Sequence, residues 1–369
     1  MKLGMVGGGQ GAFIGGVHRM ASRLDGCFDL VAGAFASDPD RAHASAAELG
    51  VSADRSYADF RDMAKAEAAR PDGIDAVSIV TPNHLHGPIA EAFLAHDISV
   101  ICDKPMTATL EQAESLVAAA AASKGHFFLT HNYTGYPMIR QARQMVAEGA
   151  LGDIRIVEAN YLQDWLSEAP APDNKQAIWR TDPAQSGGGA IGDIGTHAHN
   201  LACFVTGSRA TSLSATLSSH VSGRLVDDDA RVTLKFENGA HGHIWASQVA
   251  IGNENNLTLA VYGSKGAIRW AQENPNILWF TKSGHPPQMI TRGGGGADEA
   301  AAAVTRIPAG HPEGYLEAFA TLYREAAEVI RAQGTSSATI SIQDGLDGVR
   351  FVDACLRSSK NGAAWTDVS

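Results

Sequence analysis

Over the first 130 residues, short apolar runs alternate with segments whose apolar positions recur at helical spacing. Lys2–Val6 is a strand-like run, and a glycine cluster follows it directly. Helical spacing then continues through Met20 and Leu24, and Phe28–Phe35 reads as a second strand. Ser37-Asp38-Pro39 opens an Ala-rich helix over Arg41–Leu49, because Asp or Ser can cap a helix and Pro suits its first turn. Ala76–Val80 and Ser99–Cys102 are buried-strand runs, Pro88–Ala95 and Thr109–Ser123 are helical, and Phe127–Thr130 closes the series. Strands that alternate with helices imply crossover connections and a parallel, doubly wound sheet.

The rhythm changes near Asn132. Ile154–Tyr161, Thr211–Ser218, Ala230–Phe236, His241–Gln248, Leu257–Tyr262 and Ala267–Trp270 are strand candidates with fewer helices between them. Asn238-Gly239 between two of these is a hairpin signal. Gly293–Gly296 reads as a surface loop, and Tyr315–Arg331 and Asp344–Leu356 as late helices. The pattern predicts an α/β protein with a Rossmann-type parallel-sheet domain over residues 1–131. A second, α+β domain on a mainly antiparallel sheet is expected over residues 132–369.

A length of 369 residues suits two such domains, and 44% hydrophobic with 19% charged residues is ordinary globular composition. The net charge of −11 argues against a nucleic-acid or anionic-membrane partner, since both need clustered Lys and Arg. No apolar stretch approaches the length of a membrane span, and the N-terminal run is too short for a signal peptide. Cys27, Cys102, Cys203 and Cys355 are scattered without a C-x-x-C pair, which favours reduced thiols in a cytoplasm over disulfides or a zinc site.

Chemistry gathers where the predicted parallel strands end. Gly7-x-Gly9-x-x-Ala12 lies between the first strand and the first helix. Glycines there let backbone approach a pyrophosphate that faces the next helix N-terminus. Gly7, Gly9, Gln10, Gly11, Ala12, Phe13 and Ile14 are therefore candidate dinucleotide contacts. The second strand should end in an acid for the adenosine ribose, yet Phe35 and Ala36 stand there. Asp38 comes slightly late and also suits a helix cap, while Ser37 and Arg41 suit a 2′-phosphate, so both NAD and NADP stay open. Thr81-Pro82-Asn83-His84-Leu85-His86 and Cys102-Asp103-Lys104-Pro105 follow two further strands. An Asn at such a strand end can bond a ribose or carboxamide, and Lys104 would point into the same crevice unless it is merely solvated. Beyond them come Trp179-Arg180-Thr181-Asp182-Pro183 and the glycine-rich run from Ser186 to His197. Asp193 and His197 are four apart, so a helix beginning near Asp193 would put both on one face. A carboxylate beside an imidazole makes a general base, although a capping Asp and a core His would have the same spacing.

Together the Gly-rich turn, T-P-N-x-x-H, D-K-P, W-R-x-D-P and G-G-G-x-x-x-D-x-G-x-H resemble the Gfo/Idh/MocA family of glucose–fructose oxidoreductase and inositol dehydrogenase-like enzymes. The resemblance implies a hydride transfer between a nicotinamide cofactor, NAD or NADP, and a ring hydroxyl or ketone of an inositol or sugar. It implies that Lys104, Asp193 and His197 form the catalytic set, with Asp103 standing where the family has Glu and with a cis bond between Lys104 and Pro105. Thr81, Asn83, His86, Asp103, Lys104, Asn132, Trp179 and Arg180 fall on the cofactor side. Substrate candidates are Lys104, Tyr133, Trp165, Arg180, Asp193, His197, His199, His311 and Tyr315, because polar and aromatic side chains suit a polyol. Asn200 stands where the family often has Asp. A homodimer or homotetramer through the open face of the large sheet is also implied.

Three other readings compete. Redox-assisted glycoside cleavage would use the same fold and the same hydride chemistry. A cofactor-binding sensor would need the fold but not Lys104, Asp193 and His197 together. A metallohydrolase could use the pairs His84/His86, His197/His199 and His241/His243, since residues two apart share a face on a strand. No carboxylate-rich ligand set accompanies them, so no metal site is expected.

Overall fold

The computed structural model describes residues 1–171, 173–332 and 341–368. It divides into two compact units, Met1–His131 with Phe319–Leu346, and Asn132–Ala318 with Asp347–Ser369.

In the first unit the order is β1 (Lys2–Gly7), α1 (Phe13–Leu24), β2 (Asp29–Ala34), α2 (Pro39–Glu48), α3 (Phe60–Ala69), β3 (Ala76–Val80), α4 (His86–Leu94), β4 (Ser99–Cys102), α5 (Leu110–Ala122) and β5 (Phe127–Leu129). All five strands are parallel, in the order β2-β1-β3-β4-β5. A single parallel bridge between Gly33 and Ser56 extends the sheet past β2. It stands where a doubly wound fold would carry a further strand, so the order reverses beside β1, between β1 and β3. Every residue of β3 and β4 is buried, because helices cover both faces of a parallel sheet. Caps fix the helix starts: Asp38, Asp59 and Thr109 accept backbone N–H bonds at α2, α3 and α5. Helix α3 is absent from the sequence pattern. Its buried Glu67 breaks the apolar stripe and is tied to Arg55 and to the Tyr57 hydroxyl.

The second unit continues with α6 (Pro137–Ala147), β6 (Ile154–Leu162), α7 (Lys175–Arg180), α8 (Pro183–Ser186), α9 (Thr196–Thr206), β7 (Ala210–Ser218), β8 (Asp229–Phe236), β9 (His241–Ser247), β10 (Asn256–Gly263), β11 (Gly266–Ala271), β12 (Ile277–Lys282), β13 (Gln288–Thr291) and α10 (Glu299–Ala302). Two long helices, α11 (Tyr315–Ala332) and α12 (Ile342–Lys360), each run through a unit boundary, and β14 (Thr366–Asp367) ends the chain's described elements. The nine-stranded sheet has the order β13-β12-β11-β10-β6-β9-β8-β7-β14. Only the β6–β9 pair is parallel, so the sheet is mainly antiparallel as expected. Burial alternates along β8 and β10, the period of a sheet with one covered face. The β8–β9 hairpin turns at Asn238-Gly239, where Gly239 adopts φ +83. Among the described helices none is long and apolar enough to cross a membrane.

One contact fixes the geometry at the end of β1. Gly8 has φ +70, and a Cβ placed on Gly15 of α1 would lie 2.4 Å from Gly8 Cα and 2.9 Å from Gly8 O. Both obstacles are backbone, so only glycine lets the helix start this close to the turn. Gly15→Val should lower stability by about 1–3 kcal/mol in urea melts and weaken the binding of a dinucleotide at this turn in a fluorescence titration. A variant matching the parent in both would show that the close approach is dispensable.

Candidate functional site

The turn after β1 is built for an anion. Gly7, Gly8 and Gly11 take φ of +82, +70 and +80. A Cβ on Gly7 would meet Val80 O at 2.8 Å, and one on Gly9 would meet Phe35 O and Ser45 Oγ at 2.8 Å. Ala12 begins α1 without a side-chain cap, and no acid stands in the first turn. The leading N–H groups and the positive end of the helix dipole are thus left for a ligand, the fit a pyrophosphate requires. A cleft of about 270 Å³ beside the turn is lined by Gly8 to Phe13 together with Arg19, Ser45, Glu48 and Leu49. Arg19 donates to Gly8 O at 2.6 Å, and Ser45 Oγ accepts from Gln10 N at 3.2 Å. Neither residue stood out in the sequence, since each works through a partner on another element. Four candidates lie otherwise than expected. Ile14 turns inward, packed on the cluster of Met5, Leu30 and Val80. Asp38 accepts from Arg41 N at 2.9 Å as the cap of α2, and Ser37, Asp38 and Arg41 are exposed and outside the cleft lining.

At the ends of β3 and β4 the expected loops are present. Asn83 is buried, and Thr81 Oγ1 is buried without a hydrogen-bond partner. An unsatisfied hydroxyl in that position suits a polar cofactor group. His86 departs from its expected role. It is fully buried, with Nδ1 2.7 Å from Pro105 O and Nε2 2.9 Å from Thr81 O, so it ties the two loops together and offers no free atom to a ligand. Lys104 is half-buried and its bond to Pro105 is cis. Beside it, Asp103 accepts from Thr130 Oγ1 at 3.2 Å and lies 3.7 Å from His18 Nε2. Burial alone would raise the Asp103 carboxyl, but His18 and the Lys104 and His86 charges outweigh it and hold it below its ordinary range. His18 Nδ1 in turn meets Tyr323 Oη at 2.8 Å and Ser78 Oγ at 3.2 Å. This network places α11 against the strand ends of the first unit.

In the second unit, the segment leading to His197 is a continuous helical stretch with one wide π-turn over Ile191–Gly195, followed by α9. The sequence spacing assumed ordinary helix here. Single π-turns often mark functional sites because the extra residue re-aims side chains. His197 is buried, with the Tyr133 ring edge-on at 4.8 Å and Tyr161 at 6.0 Å. Tyr133 Oη pairs with Tyr161 Oη, and Asn255 Oδ1 accepts from Tyr161 Oη at 2.7 Å and from Gln163 Nε2 at 2.9 Å. Trp165 Nε1 donates to Gln163 Oε1 at 3.0 Å. Asp193 Oδ2 accepts from Arg180 Nε at 3.2 Å and Gln248 Nε2 at 2.9 Å, while Arg180 lies over the Trp179 ring at 4.2 Å and the Trp165 ring at 5.9 Å. Burial pushes the Tyr133 and Tyr161 phenols up, so they stay protonated at neutral pH and serve this group as hydrogen-bonding hydroxyls. Asn132, also buried, has its Nδ2 unsatisfied.

Residues Met1–His131 match the family described as "Oxidoreductase family, NAD-binding Rossmann fold", and residues 139–269 match the "GFO/IDH/MocA C-terminal domain". An uncharacterized oxidoreductase of Bacillus subtilis is 33% identical over all of this chain and 96% of its own length. The chain belongs to the GFO/IDH/MocA oxidoreductase family. Two solved structures agree with it closely as GFO/IDH/MocA-like folds. An oxidoreductase from Sinorhizobium meliloti is 50% identical with a TM-score of 0.90, covering 99% of both chains. An inositol dehydrogenase homolog from Azotobacter vinelandii, complexed with NADH and myo-inositol, is 37% identical with a TM-score of 0.93, covering 100% of this chain and 97% of that one. The cofactor of this GFO/IDH/MocA enzyme is accordingly a nicotinamide dinucleotide, and the glycine turn fits it.

Within this GFO/IDH/MocA site some candidates sit apart. His199 is two residues beyond His197 on α9, about 200° around a helix, so it cannot share its face. It stacks on Phe351 at 4.2 Å, and its Nε2 meets Cys203 Sγ at 3.5 Å. Helix geometry thus separates His197 from His199, whereas His241 and His243 share the exposed face of β9. Among the described residues no three His, Cys, Asp or Glu side chains gather at one point. His311 is exposed, its carbonyl receiving Arg292, and Tyr315 is half-buried near Tyr161. Burial lowers His199 to about 4, against about 6.5 in an unfolded chain. The unfolded state therefore takes up the proton first as pH falls, and the stability His199 contributes above pH ~6.5 is lost toward pH ~4. His199→Phe should lose less stability between those limits in paired urea melts. An unchanged pH dependence would contradict the buried, neutral assignment.

Proposed function

We propose that the enzyme oxidises a ring hydroxyl of an inositol or sugar to the ketone. The observation that carries this reading is the strip of hydrogen-bonding phenols and amides beside His197, from Tyr133 and Tyr161 through Asn255 to Gln163. A polyol presents several hydroxyls at its rim and apolar C–H faces between them. Amides and phenols meet the first, and aromatic faces such as Trp165 meet the second. A carboxylate or phosphate substrate would call for a cluster of bases, whereas the guanidinium of Arg180 is already held by Asp193.

Bound nicotinamide supplies the acceptor for the hydride at its C4. His197 takes the hydroxyl proton as the C–H bond breaks. Lys104 hydrogen-bonds the reacting oxygen and stabilises the negative charge it gains, an interaction stronger in the transition state than in the bound substrate. Asp193, held from the other side by Arg180 and Gln248, orients the base. The relative solved with NADH and myo-inositol supports an inositol as the first substrate to try. A panel of inositols and aldoses, each with NAD and with NADP, names the substrate and the cofactor. Glycosides in the same panel report bond cleavage.

We also assign the enzyme to the cytoplasm and to a homodimer or homotetramer. The face of the large sheet exposes Ile156, Trp279 and Met289, and a hollow of about 420 Å³ on it is lined by Trp279 and Tyr262 with Glu158 and Arg269; exposed large apolar side chains set among charges suit a subunit contact. Light scattering at micromolar concentration should give a dimer or tetramer mass, and a monodisperse monomer would refute it.

Lys104→Met keeps length and packing but removes the charged donor. Turnover should fall by about 10²–10³, the usual loss for one oxyanion donor, while NAD affinity by fluorescence titration stays near that of the parent. Near-parental kcat in this variant would remove Lys104 from the mechanism. His197→Ala should be comparably slow and partly recover at high pH, where hydroxide replaces the base.

A further inference from the structure

The glycine run before Asp193 is held by a residue no motif includes. Asp227 lies in the connection between β7 and β8, and its carboxylate accepts from Gly189 N at 2.9 Å and from Ile191 N at 2.8 Å. Its own carbonyl accepts from Ala190 N at 2.9 Å. Residues 189, 190 and 191 therefore give their N–H groups to this one residue. These are the leading donors of the helical stretch that carries the π-turn and α9, donors that lack carbonyl partners inside a helix. The fit is tight: a Cβ on Gly189 would lie 1.8 Å from Asp227 O. The anchor is itself fixed, since the neighbouring Asp228 accepts from His220 N, Val221 N and Arg224 Nη1 at 2.9 to 3.3 Å.

We propose that Asp227 is a positioning residue for the reaction: its carboxylate acts as a remote cap that sets the π-turn carrying Asp193 and so aims His197, without touching substrate or cofactor. The proposal rests on His197 being the base in the reading above. A conventional cap accepts from its own helix and fixes only where the helix begins. Asp227 reaches in from a separate loop and fixes the rotation of the stretch as well. Burial also raises its carboxyl to about 6 against the pull of the Gly189 and Ile191 N–H groups. The titratable groups facing it are Asp228 beside it and Cys355 of α12. Protonation costs the carboxylate charge and part of its accepting capacity, so the clamp loosens as pH drops through that value.

The experiment uses the full enzyme with NAD bound and labelled histidines, and reads the His197 imidazole by NMR, identified as the resonance lost in His197→Gln. In Asp227→Asn, one carboxylate oxygen becomes an NH₂ that faces a backbone donor. The His197 resonance should shift, and an inflection near pH 6 in the parent's titration should vanish. On a polyol the parent turns over, kcat should fall by about ten- to a hundredfold, the scale of small misplacements of a reacting group. NAD affinity should stay close to the parent's, while the melting temperature alone falls by a few degrees because a buried backbone donor loses its acceptor. Asp227→Ser, which keeps one short acceptor, replaces Asn if that variant does not fold, with the same expected outcome. An unmoved His197 resonance with parental kcat overturns the proposal. So does a joint loss of melting temperature and NAD affinity in both variants, which would make Asp227 purely structural. If the parent turns over no polyol at all, the reading of function fails, and the His197 resonance still decides the role of Asp227.

Discussion

The first N–H groups of a helix have no carbonyl to bond within it, and each needs water, a ligand or another part of the protein. This chain answers that shortage in two opposite ways, and its chemistry follows from the difference. At α1 no side chain caps the start, no acid stands in the first turn, and glycines bring the turn close to the helix. The donors and the dipole are thereby kept for the phosphates of a dinucleotide. At the stretch before α9 the donors are consumed by Asp227, so the end is closed to anions and held fixed. The open end suits the cofactor, and the closed end leads into the helix that carries His197.

Burial gives the second half of the argument. Around His197 the phenols of Tyr133 and Tyr161 are shifted up by desolvation, and His199 is shifted down. The phenols, protonated at neutrality in any case, are held further from ionisation, and His199, which would otherwise titrate near neutrality, is held neutral. The ion pair of Arg180 with Asp193 lies among aromatic rings, where a planar guanidinium both stacks and bonds. A polar strip that is already hydrogen-bonded to itself can exchange those bonds for substrate hydroxyls at small net cost. Such a strip suits a neutral, many-hydroxyl ligand that carries no strong charge.

The sequence made the parallel half of the fold legible because strands buried on both faces read as plain apolar runs, as in Ala76–Val80 and Ser99–Cys102. The alternating strands of the second sheet were legible for the same kind of reason, from β7 through β11. Helix α6 was missed although Met138, Ile139, Ala142 and Met145 recur on it at helical spacing, with the polar Arg140 and Gln141 buried among them. Arg140 is satisfied by Thr134 O and lies over Phe204 at 5.3 Å, contacts no local pattern announces. Motifs at strand ends pointed to the glycine turn and Lys104, and the glycine-rich run before α9 to Asp193 and His197, because a backbone conformation or a fixed spacing leaves a trace in the letters. The partners that set the environment left none. His18 meets Tyr323 across 305 positions, and Tyr161 meets Asn255 across 94. His86 and His199 show the reverse. Each carried a plausible letter at a plausible place, and burial with satisfied or stacked rings gave it a structural task.

The central claim is that a carbon-bound hydrogen of a polyol passes directly to the nicotinamide. Carbon-deuterated myo-inositol, or whichever ring polyol the enzyme turns over, tests it when mixed with NAD and the reduced cofactor is weighed by mass spectrometry. The account predicts reduced cofactor carrying one deuterium from the ring carbon. Reduced cofactor without deuterium, or no reduction with any inositol or sugar, would contradict it.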